Sequence, residues 1–391
     1  MNYYILPKNN LKIDIFLSLN SDQVKPFISY SLIYHLNDIY ANLLKLEYQI
    51  DSDKRLLVEK MHPITVSLDY INKIVNPFEF IHTNVPGTIL SVSKVKPESS
   101  LFFDLMEIFQ ICNITEFLSE INKINIGNFT PNFSSTNYLL NMLREDNEDV
   151  TINELFDFGN LCEKYVRNSV SIKIDLMIFE FKDEDYIDVK QYIKNVLLTF
   201  YIIVKYQAKN GTCIIKLDNI FYKVIIDVIL MLTGIYRKVF LIKPSISKIT
   251  KGERYIICSE IDNELLGRTN LFQQLEDKVK DYLLETKEDP VVYMHSFLKN
   301  EVPYYFLNKI EESNAVIGQQ QLESYDQIIN IFKNKNKEDK IESLKRNHIQ
   351  KCIQWCEKNQ IPHNKFTDKI NIFLNTRREE SLKYLEENAF L

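Results

Sequence analysis

The chain has 391 residues, 45% of them hydrophobic and 26% charged, enough apolar material for a large buried core in one or two domains. A net charge of −6 excludes a global electrostatic footprint for nucleic acid, so any RNA contact has to be local, and nothing signals DNA. No apolar run approaches the ~20 residues of a membrane span, and MNYYILPKNN lacks the layout of a signal peptide.

Residues 11–19 (LKIDIFLSL) alternate apolar and polar like a half-buried strand. From 27 to about 50, Leu32, Ile33, Leu36, Ile39, Tyr40, Leu43 and Leu44 fall on one helical face. Residues 77–82 (PFEFIH) read as a short buried strand that stops at Pro86-Gly87. A helix is predicted over 101–118, a loop over 127–136, and 143–157 is markedly acidic. The periodicity then sharpens. Residues 171–181 (SIKIDLMIFEF) predict a strand, 189–206 a strong helix, Asn210-Gly211 a stop and 212–217 (TCIIKL) a strand. A helix over 220–234 follows, then strands at 237–242 (RKVFLI) and 254–261 (RYIICSEI). From about 270 the pattern is helical, with Leu271, Phe272, Leu275, Val279, Tyr282 and Leu283 at helical spacing. The cysteines, at 112, 162, 213, 258, 352 and 356, lie mostly in apolar segments and read as buried thiols of a reducing compartment.

Strands alternating with helices predict an α/β fold with a mostly parallel sheet. The last two strands are joined by a short segment without a helix, so they should be antiparallel neighbours. A Rossmann-like sheet with a final antiparallel hairpin is the methyltransferase variant of that fold. The expected architecture adds an N-terminal α/β extension and a C-terminal helical region.

Residues 211–261, GTCIIKLDNIFYKVIIDVILMLTGIYRKVFLIKPSISKITKGERYIICSEI, carry a more specific signal. They show a Gly, an apolar strand ending in Lys, a helix, a strand ending in Lys-Pro, a Ser-rich loop and Glu-Arg-Tyr. That series resembles the C-terminal half of the FtsJ-like RNA 2′-O-methyltransferases, in particular the cap-methyltransferase-like proteins of large cytoplasmic DNA viruses. The resemblance implies S-adenosylmethionine as cofactor if the chain is active, Lys216 as central lysine, Glu253 as its partner, and Glu180 in place of the family's Asp. A further Lys, expected before the first strand, falls near Asp69, with Lys73 off register. The family's acidic residue and Pro-Gly-Gly match NVPGTI, where Asn84 replaces the acid, Pro86 and Gly87 are kept, and Thr88 replaces the second glycine. The family's Asp-Gly-Gly is replaced by Glu180-Phe181-Lys182. The domains implied are an N-terminal extension (1–75), an FtsJ-like domain (76–264) and a helical region (265–391).

Methylating a ribose 2′-hydroxyl requires a weakly acidic alcohol held near an electrophilic methyl. A Lys amine with a lowered pKa can orient or deprotonate that alcohol, and carboxylates can fix the Lys. Glycines let the backbone approach a cofactor, yet no two of the eight glycines lie closer than fifteen residues. Asp183, Glu184, Asp185 and Asp188 either repel RNA phosphates or favour a helix start. Lys216 and Glu253 also read as a structural ion pair at strand ends. His348, Cys352 and Cys356 share one helix face, which suits core packing; two turns are too wide for one zinc, and no metal is expected. The basic stretch 333–347 reads as a solvated linker or helix start ahead of an RNA contact.

Two functions from different classes follow. One is a catalytically degenerate FtsJ-like protein, a non-catalytic or regulatory subunit in viral mRNA capping, transcription or assembly. It would need no cofactor and would act through a protein partner in the host cytoplasm, a viral factory or the virion, with RNA contact left open and no membrane involved. The small subunit of the poxvirus capping enzyme is a similar fold of that kind. The other is an active mRNA cap 2′-O-methyltransferase using Lys216, Glu180 and Glu253. Asn84, Thr88 and Phe181 favour the first; retention of Lys216 and Glu253 favours the second.

Overall fold

A computed structural model gives the structure, and describes residues 2–9, 14–57, 68–120, 123–143, 150–155, 157–168, 171–262, 270–284, 292–333 and 338–366. In chain order the strands are β1 (Asn2–Ile5), β2 (Ile15–Asn20), β3 (Ile124–Phe129), β4 (Val150–Glu154), β5 (Ile174–Phe179), β6 (Gln207–Leu217), β7 (Tyr236–Lys243), β8 (Arg254–Ile261) and β9 (Tyr293–Leu298). The helices are α1 (Tyr30–Leu57), α2 (Leu68–Val75), α3 (Leu101–Ile111), α4 (Ile114–Glu120), α5 (Phe133–Leu143), α6 (Phe158–Leu161) and α7 (Asp183–Ile187). They continue with α8 (Val189–Tyr206), α9 (Lys223–Ile235), α10 (Leu271–Lys278), α11 (Lys280–Leu284), α12 (Tyr304–Lys333) and α13 (Glu338–Lys358).

The central sheet is seven-stranded, ordered β1-β7-β8-β6-β5-β3-β4. Strands β4, β3, β5 and β6 are parallel neighbours. Strand β8 is antiparallel to both β6 and β7, which restores β7 to the direction of β6. Edge strand β1 is antiparallel to β7, so the sheet carries two reversed strands, and the one inserted between β6 and β7 is the mark of the methyltransferase variant of the Rossmann arrangement. The predicted antiparallel pairing of the last two strands is observed, from Tyr236↔Ile261 to Ile242↔Tyr255.

Side chains alternate across the sheet and build a core on each face. Cys213, Ile215 and Met177 face α8 and α9, whereas Ile214, Leu176 and Ile178 face α3 and α13. Helix α8 starts where the Asp188 side chain accepts from Lys190 N at 3.0 Å, an N-cap that relieves one orphan donor. Helix α9 is buried on nearly every side. Its outer side is covered by β9, which Asp227 fastens by accepting from Phe297 N at 2.9 Å and Leu298 N at 3.2 Å. Strand β9 pairs in turn with β2, and α1 packs on α12. Strand β2 and α1 therefore meet β9 and α12, whereas α13 covers the other face of the sheet.

Several local expectations are corrected. Residues 77–82 are not a strand but a 3₁₀ turn (Glu79–Ile81), buried enough to mimic one in sequence. The helix over 101–118 is broken at Asn113, whose φ of 54° ends α3 before α4 begins. The loop expected over 127–136 is the end of β3 and the start of α5. Among the described residues beyond 265, the regular elements are helices except for β9.

Candidate functional site

The sheet order β8-β6-β5 brings three chain segments to one edge. Glu180 follows the last residue of β5, Lys216 is the penultimate residue of β6, and Glu253 precedes the first residue of the reversed strand β8. Their side chains meet. Lys216 Nζ lies 2.8 Å from Glu180 Oε1 and 3.2 Å from Glu253 Oε2, with all three side chains only 12–13% exposed. The ring of Tyr255 lies 5.9 Å from the same ammonium. Beneath it, the Lys216 carbonyl accepts from Tyr186 OH at 3.2 Å.

A third acid, Asp104, completes the group from α3. It is 2% exposed and accepts from Tyr255 OH and Ser247 Oγ, both at 2.8 Å. The sequence reading missed it, although Asp104 and Glu107 stand one turn apart in the otherwise apolar LFFDLMEIF. The position near Asp69 does not contribute a lysine. Lys73 is on α2, paired with Asp69 at 2.8 Å and well exposed.

The charge balance fixes the protonation of the group. Burial works to lower the Lys216 pKa, but Glu253, Tyr255, Glu180 and Asp104 together outweigh it and hold the ammonium well above its ordinary value. The lowered lysine pKa expected from sequence is therefore reversed. Burial also works against the Glu253 carboxylate, but Lys216, then Lys243 and Lys251, bring it down to about 2. Burial pushes Asp104 up to about 7; Lys216 works against that and Glu253 reinforces it.

Lys243, the other strand-end lysine, lies inside the protein rather than in the group. Its Nζ donates to the carbonyls of Lys248 at 3.0 Å, Lys251 at 2.8 Å and Glu253 at 3.0 Å. All three ammonium protons are used to shape the Ser-rich loop between β7 and β8. Burial brings its pKa down to about 8.

A cleft of about 460 Å³ opens over Lys216, with Tyr186, Ile187, Asp218, Lys251, Arg254 and Tyr325 among its walls. Ile187 is 83% exposed at its rim, on the acidic helix α7. Asp183 of that helix faces Lys251 at 3.7 Å. On the other side of Glu253 lies a chamber of about 10 Å³, bordered by Glu79, His82, Asp104, Ser247 and Lys248. It is the size of one water molecule.

The segment expected to hold the cofactor lies elsewhere. Asn84, Pro86, Gly87 and Thr88 form a self-contained turn after the 3₁₀ element, closed by Thr88 N to Val85 O and Val85 N to Leu90 O, both at 2.9 Å. No sheet strand leads into it, because 77–82 is not a strand. In an open α/β sheet a nucleotide cofactor lies over the strand ends where the order reverses, here between β3 and β5. The turn there, Phe129 to Phe133, contains no glycine. Thr130 of the turn is fully buried and donates through Oγ1 to Oδ1 of the equally buried Asn128 of β3 at 2.8 Å. Glu154, at the end of β4 where a ribose-binding carboxylate would stand, accepts from Asn137 Nδ2. The turn does not fit an adenosyl cofactor in the way a glycine-rich one does.

Other singled-out residues take structural places. Cys352, Cys356 and His348 are buried, with Trp355, where α13 covers the sheet. Among the described residues no group of three or more His, Cys, Asp or Glu is arranged to hold a metal ion. Of the basic stretch 333–347, residues 334–337 lie outside the described residues and the remainder opens α13. No described helix is long and apolar enough to cross a membrane.

No protein-family model matches this chain. It is similar to an uncharacterized protein of Acanthamoeba polyphaga mimivirus, 22% identical over 381 residues, which cover 95% of this chain and 94% of that protein. Among solved structures it has a likeness to a Plasmodium falciparum protein assigned as a ribosomal RNA methyltransferase. That overlay has a TM-score of 0.31 and 16% identity, covering 42% of this chain and 97% of the other. The fold assignment rests on the strand order and directions, not on that overlay.

Proposed function

We propose that this chain is a catalytically degenerate FtsJ-like methyltransferase-fold protein. In this reading it serves as a non-catalytic or regulatory subunit in viral mRNA capping, transcription or assembly. One observation carries the reading: Lys216 stands among Glu180, Glu253 and Asp104, which together hold it protonated. A general base must be able to give up its proton near the working pH, and this lysine is arranged against doing so. The glycine-free turn after β3 and the acidic helix α7 at the cleft mouth point the same way. The viral setting is supported by the mimivirus relative, whose similarity runs through almost the whole chain. A protein partner is part of the proposal, and the host cytoplasm, viral factory or virion is its setting.

A second reading keeps one observation in its favour. Lys216, Glu180 and Glu253 converge at the cleft, as an active S-adenosylmethionine-dependent mRNA cap 2′-O-methyltransferase would need. Calorimetric titration with S-adenosylmethionine and S-adenosylhomocysteine separates the two. The proposal expects no binding at millimolar cofactor and no methyl transfer to capped RNA. Micromolar binding, with transfer abolished by Lys216→Ala, would overturn it in favour of the enzyme.

A further inference from the structure

Strand β1 is an edge of the central sheet, and its outer side presents backbone groups. Leu6 N donates to Val239 O at 2.9 Å, and the pairs Tyr4↔Leu241 and Asn2↔Lys243 continue that register. The even-numbered residues therefore use their N–H and C=O groups on β7, and those of Tyr3 and Ile5 point away from the sheet. Among the described residues no strand pairs with β1 on that side. Bare edges are usually guarded by a Lys, a Pro or a bulge, and NYYI has none of these.

Apolar side chains flank this edge on both faces of the sheet. Tyr3 stacks on Phe240 with ring centroids 5.5 Å apart, and Ile5 follows on the same face by alternation. On the opposite face Lys309 of α12 lies over the Tyr4 ring at 5.8 Å. Tyr305, Lys309, Glu312 and Val316 recur every three or four residues, so they form one stripe of α12 alongside β1. At 39, 58, 54 and 38% exposure, Tyr3, Ile5, Tyr305 and Val316 leave roughly 400 Å² uncovered, half of the ~800 Å² per partner in a standard interface.

We propose that β1 joins this chain to a second copy of itself, the two strands running antiparallel about a two-fold axis perpendicular to the sheet. With Tyr4 facing Tyr4 across the axis, the N–H and C=O of Tyr3 meet the C=O and N–H of Ile5 of the second copy. The reverse pair repeats this, so every outward group finds a partner. Tyr3 and Ile5 then pack across the axis on one face, an aromatic against a β-branched side chain. On the other face the axis sets the two α12 helices side by side in opposite directions. Lys309 and Glu312, 2.7 Å apart within one helix, are thereby offered to Glu312 and Lys309 of the other. An acid and a base on one stripe are complementary to that same stripe reversed, which selects a second copy over an unrelated strand.

Sedimentation velocity of the full chain at increasing concentration tests this. A dimer is expected at micromolar protein. Ile5→Lys, a charge at an exposed edge position, should weaken it at least about tenfold without changing the melting temperature. Lys309→Glu and Glu312→Lys should each weaken it too, because like charges then face each other across the axis. Mixing those two variants one to one should restore association, since each supplies the charge the other lacks. A chain that stays monomeric up to high micromolar concentration would overturn the proposal. So would a dimer indifferent to Ile5→Lys, which would use another surface, or a pair of charge variants whose mixture stays as weak as either alone.

Discussion

Arg254 Nη1 donates to Asn314 Oδ1 at 2.7 Å, and through that bond the start of β8 is tied to the middle of α12. Asn314 passes the connection on, its Nδ2 donating to Ile220 O at 3.0 Å and to Ser29 Oγ at 3.2 Å. The guanidinium is 1% exposed and its acceptors are all neutral, Gly252 O and Ser313 Oγ being the others. Burial brings its pKa down to about 10. The result is a buried polar knot between the sheet and both terminal portions.

Removing Arg254 should therefore cost more than a surface arginine. Arg254→Ala leaves Asn314 and Ser313 without their donor and opens a void, for a loss of about 3 kcal/mol. Asn314→Ala should lose about 2 kcal/mol, and the double variant less than the sum because the two share one network. Urea midpoints at constant slope measure all three.

Lys216→Met should destabilise the fold by about 3 kcal/mol, since it strands Glu180 and Glu253 as neighbouring acids without their cation. Adding Glu180→Gln and Glu253→Gln should recover part of that loss. A triple variant no more stable than Lys216→Met would show that the lysine matters for packing rather than charge.

Glu253 sets an acid limit. Its folded value of about 2 lies below its ordinary 4.5, so its contribution is fully present above 4.5 and is lost as the pH falls toward 2. The contribution is at most about 3 kcal/mol. Unfolding midpoints between pH 5 and 2.5 should fall less steeply in Glu253→Gln than in the wild type.

Gly318 lets α12 approach α1. A Cβ built there would meet Leu32 Cγ at 2.9 Å and its methyls closer still. Gly318→Ala should cost about 1–3 kcal/mol through overpacking, despite the helix propensity alanine gains. Since Leu36, Gln321 and Tyr325 line the cleft from the same two helices, its shape should change as well. Gly318→Ala combined with Leu32→Ala should restore most of the lost melting temperature.

The parts of the fold legible in sequence were those with unbroken local patterns. Residues 189–206 form α8 within the bounds the periodicity gave, because an acidic cap precedes an uninterrupted apolar run. The meeting of Lys216, Glu180 and Glu253 was what the FtsJ-like resemblance of 211–261 implied, and the strand ends bring them together. Strand β3 was illegible for the opposite reason. Gly127 and Asn128 read as loop, yet Asn128 is fully buried with its amide donating to Phe133 O and Asn137 Oδ1. Tertiary hydrogen bonds satisfied a polar residue that local pattern could only count as exposed. Asp104 was hidden in the same way, its partners Ser247 and Tyr255 lying more than a hundred residues onward. Strand β9 is short, and its partner β2 is remote, so nothing nearby marks it.

Strand β1 completes the sheet edge by pairing Asn2↔Lys243 through Ile5↔Phe240. On a ribosome adding roughly 5–20 residues each second, that partner is made at least about ten seconds after β1 leaves the exit tunnel. During that interval the opening strand has exposed apolar side chains and no mate. Folding of the sheet edge thus waits on synthesis of β7, and a chaperone that shields nascent β1 should raise the yield of native protein more than one acting after release.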